Sequence, residues 1–113
     1  MGERAVAGKN SVLVLDAPDR LDVSNRFALR ERVLSALDCG VRGIVLDLSP
    51  TDYVDSAGLG TLVLLTKRAR EAGARMVLSG LNDRVADMLR LTRLDQVLEQ
   101  AATLDEGRKL ALA

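Results

Sequence analysis

Apolar residues in this chain fall into short blocks of two kinds, and the way the blocks alternate predicts the architecture. The run at 11–16, SVLVLD, is a short apolar stretch of alternating valine and leucine and predicts a strand. Residues 4–7 are expected to pair with it, with Gly8-Lys9-Asn10 as the hairpin turn and 17–20, APDR, as the next turn. Ser24 stands where an N-cap belongs, before a helix in which Leu29, Val33, Ala36 and Leu37 recur at helical spacing. Asp38-Cys39-Gly40 ends that helix. GIVLDL at 43–48 and RMVLSG at 75–80 have the unbroken apolar character of strands buried on both faces.

Between those strands, 57–72 predicts a helix closed by Gly73 at the C′ position. Asn82 caps a short helix reaching residue 91, with Val85, Met88 and Leu89 inward and Arg84, Asp87 and Arg90 outward. QVLE at 96–99 predicts a last short strand. Thr103 with Glu106 makes a capping box for a terminal helix, which Gly107 weakens. Strands alternating with helices imply parallel crossovers. The expected fold is α/β: a mixed sheet of four to five strands, antiparallel in its N-terminal hairpin and otherwise mainly parallel, packed with about four helices. The 113 residues suit one domain, 1–113.

Composition narrows the function more than the fold. Sixteen basic and sixteen acidic side chains cancel, so the totals carry no basic footprint for direct nucleic-acid binding. The apolar runs are too short to insert in a membrane, and Met1-Gly2-Glu3-Arg4 leads into no signal-peptide core; a cytoplasmic protein is the expectation. A single cysteine, Cys39, excludes an internal disulfide. There is no histidine at all, which removes the commonest general base and metal ligand. A serine hydrolase with a histidine base is excluded, and the remaining catalytic route would be a lysine, Lys67, three turns along the helix from Ser56. No enzyme, no cofactor and no metal site is expected.

The candidate chemistry lies in DSAGLG at 55–60. Sites in open α/β sheets collect where strands end and the next helices begin. Two such junctions carry an aspartate, Asp22 and Asp55, and neighbouring strands would put both on one rim. Ser56 has two readings. As an N-cap its hydroxyl would accept an amide of Gly58 or Leu59, worth about 1 kcal/mol. As a phosphoacceptor it would place an anion at a helix N-terminus, where free N–H groups and the macrodipole favour it. The cap reading leaves Gly58 and Gly60 unexplained: both cost helix stability, and they leave the rim flat for another molecule to approach closely. A phosphate's charge beside Asp55 and Asp22 would weaken a tightly fitted partner by ~10- to 100-fold. GLG lacks the longer spacing and the lysine of a phosphate-binding loop. Leu62, Leu65, Ala69 and Ala72 are expected to face the sheet. Leu59 and Val63 form an adjoining stripe, open to a partner or covered by helix 82–91.

The stretch IVLDLSPTDYVDSAGLGTLVLLTKRAREAGARMVLSGLNDRVADMLRLTRLDQVL, with DRLDVSNRFALRERV upstream, resembles a STAS domain of the bacterial anti-sigma factor antagonist family. That family's Asp-Ser-Ser/Thr-Gly-Leu-Gly pattern falls on residues 55–60 and its phosphorylated serine on Ser56. The aspartate of its Gly-Glu-Leu/Ile-Asp turn falls on Asp22. Two departures stand out: Ala57 replaces the second hydroxyl, and Asp19-Arg20 replaces Gly-Glu. The resemblance implies a partner switch. The unphosphorylated protein binds an anti-sigma factor, often a serine kinase of the GHKL ATPase type, and frees a sigma factor. The kinase phosphorylates the serine, and a metal-dependent PP2C-type phosphatase restores it. Carried onto this chain, the binding surface comprises Asp22, Ser24, Asp55, Ser56, Ala57, Gly58, Leu59, Gly60 and Val63. Relatives that serve as constitutive binding modules in stressosome-like or lipid-transport assemblies supply the alternative.

Overall fold

The computed structural model describes residues 11–112. The predicted strand at 4–7 and its turn at 8–10 lie outside the described residues, so the pairing observed within them is parallel throughout. Strand β1 (Val12–Asp16) pairs with β3 (Gly43–Asp47), β3 with β5 (Arg75–Ser79), and β5 with β6 (Glu99–Ala101), giving the order β1-β3-β5-β6. Side chains alternate across a strand, and the sequence assigns a different size to each face. Leu13, Leu15, Ile44, Leu46, Met76 and Leu78 build the larger core, shared with helices α1 (Arg26–Asp38), α2 (Ser56–Glu71) and α3 (Asp83–Leu91). Val14, Val45 and Val77 form a thinner core with Ala101 and with Ala111 of α4 (Leu104–Leu112).

The thin face works because glycine removes side chains there. A Cβ on Gly107 would stand 3.0 Å from Val45 Cγ1, and one on Gly43 would stand 2.6 Å from the Ala111 carbonyl oxygen. Gly107 does lower helix propensity, as expected, and in return α4 lies against the sheet. Half of the capping box forms as expected, with Thr103 Oγ1 accepting from the Glu106 amide at 3.2 Å; the return bond falls one residue early, Glu106 Oε2 accepting from the Ala102 amide at 3.3 Å.

Two two-residue strands position the site. β2 (Arg20–Leu21) pairs in parallel with β4 (Tyr53–Val54), forming a ribbon beyond the C-terminal ends of β1 and β3. Backbone bonds carry the pairing across the gap: Ala17 N–H donates to Asp47 at 2.9 Å, and Asp52 N–H donates to Asp19 at 2.8 Å. The Asn82 amide reaches the Thr51 carbonyl at 2.8 Å, while its oxygen caps α3 by accepting from Val85 at 2.8 Å.

Three expectations need correction. The last strand is Glu99–Ala101, not 96–99, because a 3-10 turn at Leu94–Gln96, entered through left-handed Arg93 (φ 61°), displaces it. Ala72 is the exposed C-cap of α2 and does not face the sheet, unlike Leu62, Leu65 and Ala69. The first helix begins at Arg26 rather than behind a Ser24 cap. Asn25 occupies the cap position without a side-chain cap bond. Among the described residues, no helix is long and apolar enough to cross a membrane.

Candidate functional site

The ribbon delivers Asp22 and Asp55 to the same rim, as the two strand ends predicted. Asp55 spends both carboxylate oxygens there. Oδ1 accepts from the Gly58 amide at 2.8 Å and caps α2; Oδ2 accepts from the Val23 amide at 3.2 Å and ties the preceding loop to that helix. Asp22 closes its own turn by accepting from the amide (2.9 Å) and hydroxyl of Ser24. Those bonds, first the hydroxyl and then the amide, outweigh desolvation. With Arg20 nearby and the Asn25 backbone, they hold the Asp22 carboxyl below its ordinary 3.8. Arg20 stands 3.8 Å from Asp22 and stacks 4.6 Å over the Tyr53 ring. The substituted Asp19-Arg20 pair thus adds a guanidinium beside Asp22. Asn25 locks the turn from behind, accepting from the Asp22 amide at 3.0 Å and donating to the Arg20 carbonyl.

The cap on α2 is therefore Asp55, and the expectation that Ser56 caps it is corrected. An N-cap must stand in extended backbone just before the helix; Asp55 does (φ −89°, ψ −177°), whereas Ser56 is the first helical residue. Ser56 is exposed, and among the described residues its hydroxyl engages no other group. The glycines part company as well. A Cβ on Gly58 would sit 2.4 Å from the Leu21 carbonyl oxygen, so that glycine serves the close approach of α2 to the ribbon and not a visitor. Gly60 is exposed with nothing within 4 Å of such a Cβ, and it does keep the rim open.

Asp22, Ser24, Asp55, Ser56 and Gly60 thus share the rim, with Ala57 half-buried behind them. Gly58 lies inside. Leu59 and Val63 are neither a bare stripe nor fully covered: both are half-buried against the main core, to which α3 contributes Val85 and Leu89. What the sequence reading missed is the contribution of α1. Arg26, Phe27 and Arg30 join Ser56, Gly60 and Leu64 around a hollow of 240 Å³ between α1 and α2. Phe27, one of only two aromatics in the chain, is 56% exposed, and Val23 beside Asp22 is 62% exposed. The available signal was an Arg26/Arg30 pair spaced i, i+4 around a phenylalanine on a polar helix start. Among the described residues, no three His, Cys, Asp or Glu side chains come together as a metal site.

Comparison with known proteins agrees on the family. The STAS domain model matches residues 3–107. The chain is 29% identical over 97 residues, 85% of its length and 86% of the other's, to an anti-sigma factor antagonist homolog from Thermotoga neapolitana. Over 59 residues, about half of each chain, it is 41% identical to an anti-sigma-B factor antagonist from Listeria monocytogenes. A crystallised protein named as an anti-sigma factor antagonist from Thermotoga maritima superposes with a TM-score of 0.85 at 26% identity, covering 99% of this chain and 94% of that one.

Proposed function

The chain belongs to the STAS domain family, and we propose that it acts as an anti-sigma factor antagonist switched by phosphorylation of Ser56. In the unphosphorylated state the rim binds an anti-sigma factor that is itself a serine kinase, and a sigma factor is released. The observation that carries this reading is the division of labour between neighbours: Asp55 caps the helix, which leaves the Ser56 hydroxyl exposed and unengaged. A phosphate there meets the amide end of a helix with no acidic residue in its first turn, so the fold accepts it without rearranging. Its charge of about −1.5 to −2 then stands against whatever covers Gly60, Val23 and Phe27. ATP, Mg²⁺ and the dephosphorylating PP2C-type enzyme belong to the partners. With no histidine base in the chain, Ser56 is the substrate of a partner kinase and not a catalytic nucleophile of this protein.

Incubation of the protein with ATP and the cell's anti-sigma kinases, followed by intact mass and peptide mapping, tests this. Wild type should gain one phosphate at Ser56. Ser56→Ala should gain none yet keep its partner and its stability, to within about 0.5 kcal/mol, since no cap is lost. Undiminished phosphate on the alanine variant would overturn Ser56 as the switch. Wild type that binds its partner and takes no phosphate would be a constitutive binding module.

A further inference from the structure

The hollow beside Ser56 has a charge that the switch alone does not require. Arg26 opens α1, and Arg30 stands one turn later on the same face; both are half-buried, and both line the hollow with Ser56. Half-buried guanidinium groups ordinarily have an anion to answer them, since desolvated charge is costly unless paired. Among the described residues, neither makes an ion pair. Arg26 stacks 4.7 Å over the Phe27 ring, and its Nε is shut off from solvent without an acceptor. The carboxylates nearby are committed elsewhere: Asp55 to two amides, Asp22 to Ser24 and Arg20. Among the described residues no carboxylate answers either arginine, and the one exposed hydroxyl at the edge of the hollow is Ser56.

We propose that Arg26 and Arg30 are the receptor for a phosphate on Ser56, drawing it into the hollow so that it bridges α1 and α2. This rests on Ser56 as the phosphoacceptor and adds what becomes of the phosphate. Guanidinium forks match phosphate oxygens bidentately, which an exposed serine phosphate in water lacks. The modification then does more to the surface than add an anion. It neutralises two cations and fills the space between them, removing a basic, aromatic-flanked hollow that an acidic partner segment could use. The same pairing ties the starts of two helices together, so the phosphorylated domain gains stability.

The test uses the full chain with phosphoserine installed genetically at position 56, so that it needs no kinase. Phosphorus NMR follows the second ionisation of the phosphate, near 6 when unperturbed. Facing it are Arg26 and Arg30 from α1, which lower that value, and Asp55 and Asp22 on the rim, which raise it; Arg20 is taken up by Asp22. The expected midpoint lies about one unit below 6, with a higher Tm than the unphosphorylated protein. In R26Q/R30Q the midpoint should return to 6 or above and the Tm gain disappear. R26K/R30K, folded and still cationic, should keep much of the downward shift. A midpoint at or above 6 in the parent protein, or one that the glutamine pair leaves unmoved, overturns the receptor. A kinase that never touches Ser56 overturns the switch instead, without altering this midpoint.

Discussion

Gly58 and Gly60 sit two residues apart in one helix turn, are chemically identical, and do opposite work. Gly58 faces inward, where the Leu21 carbonyl of the ribbon leaves no room for a methyl group; Gly60 faces a void. The helix start is therefore two surfaces back to back. One is fitted to β2 and fixes the geometry of the rim. The other is kept bare. Glycine in the first case answers a steric demand of the fold, and in the second it accepts a cost to helix stability that the fold does not require.

The largest effect that tests this contrast is on the inner side. Gly58→Ala should force α2 away from the ribbon and destabilise the domain by about 3 kcal/mol, read as a shift in the urea midpoint. A stable Gly58→Ala protein would mean that the helix and ribbon tolerate separation. Next comes the residue that joins the two sides. Asp55→Ala removes the α2 cap, about 1 kcal/mol, and the tie to Val23, about as much again. A loss confined to about 1 kcal/mol would show the tie to the loop to be energetically idle. The smallest effect belongs to the open side, and its sign is reversed. Gly60→Ala should stabilise the protein by roughly 0.5–1 kcal/mol, because nothing obstructs the methyl group. Titration against the anti-sigma factor should nevertheless show weaker binding. Undiminished affinity would take Gly60 out of the covered surface.

Residues with one dominant local cause were legible in the sequence. Gly40 and Gly73 end their helices with φ of 84° and 75°, Asn82 caps α3, and the apolar runs at 43–48 and 75–80 are buried strands. What escaped was set by partners distant in the chain. β2 and β4 have two residues each, too few for any periodicity, and exist because the β1–β3 pairing continues past its ends. Ser24 and Ser56 both look like caps in sequence, yet Asp55 takes that part beside Ser56, and beside Ser24 the cap position falls to Asn25, which makes no cap bond. Shifting the cap by one residue is what sets the Ser56 hydroxyl free. The two glycines were read as one feature, since the obstacle at Gly58 is a carbonyl 37 positions earlier. The groove was missed because it needs α1 and α2 side by side, which no single segment encodes.

Asp55 also bears on time. The amides of Val23 and Gly58 belong to different segments, yet both are answered by the two oxygens of one carboxylate. A single turn of that side chain about its Cα–Cβ bond lets go of both. Rotamer changes are fast beside the opening of a loop or a helix end. A molecule that captured the Asp55 carboxylate would therefore free both amides in one step, while the bond from the Asp55 N–H to the Leu21 carbonyl, 3.1 Å, still holds the ribbon to the helix start.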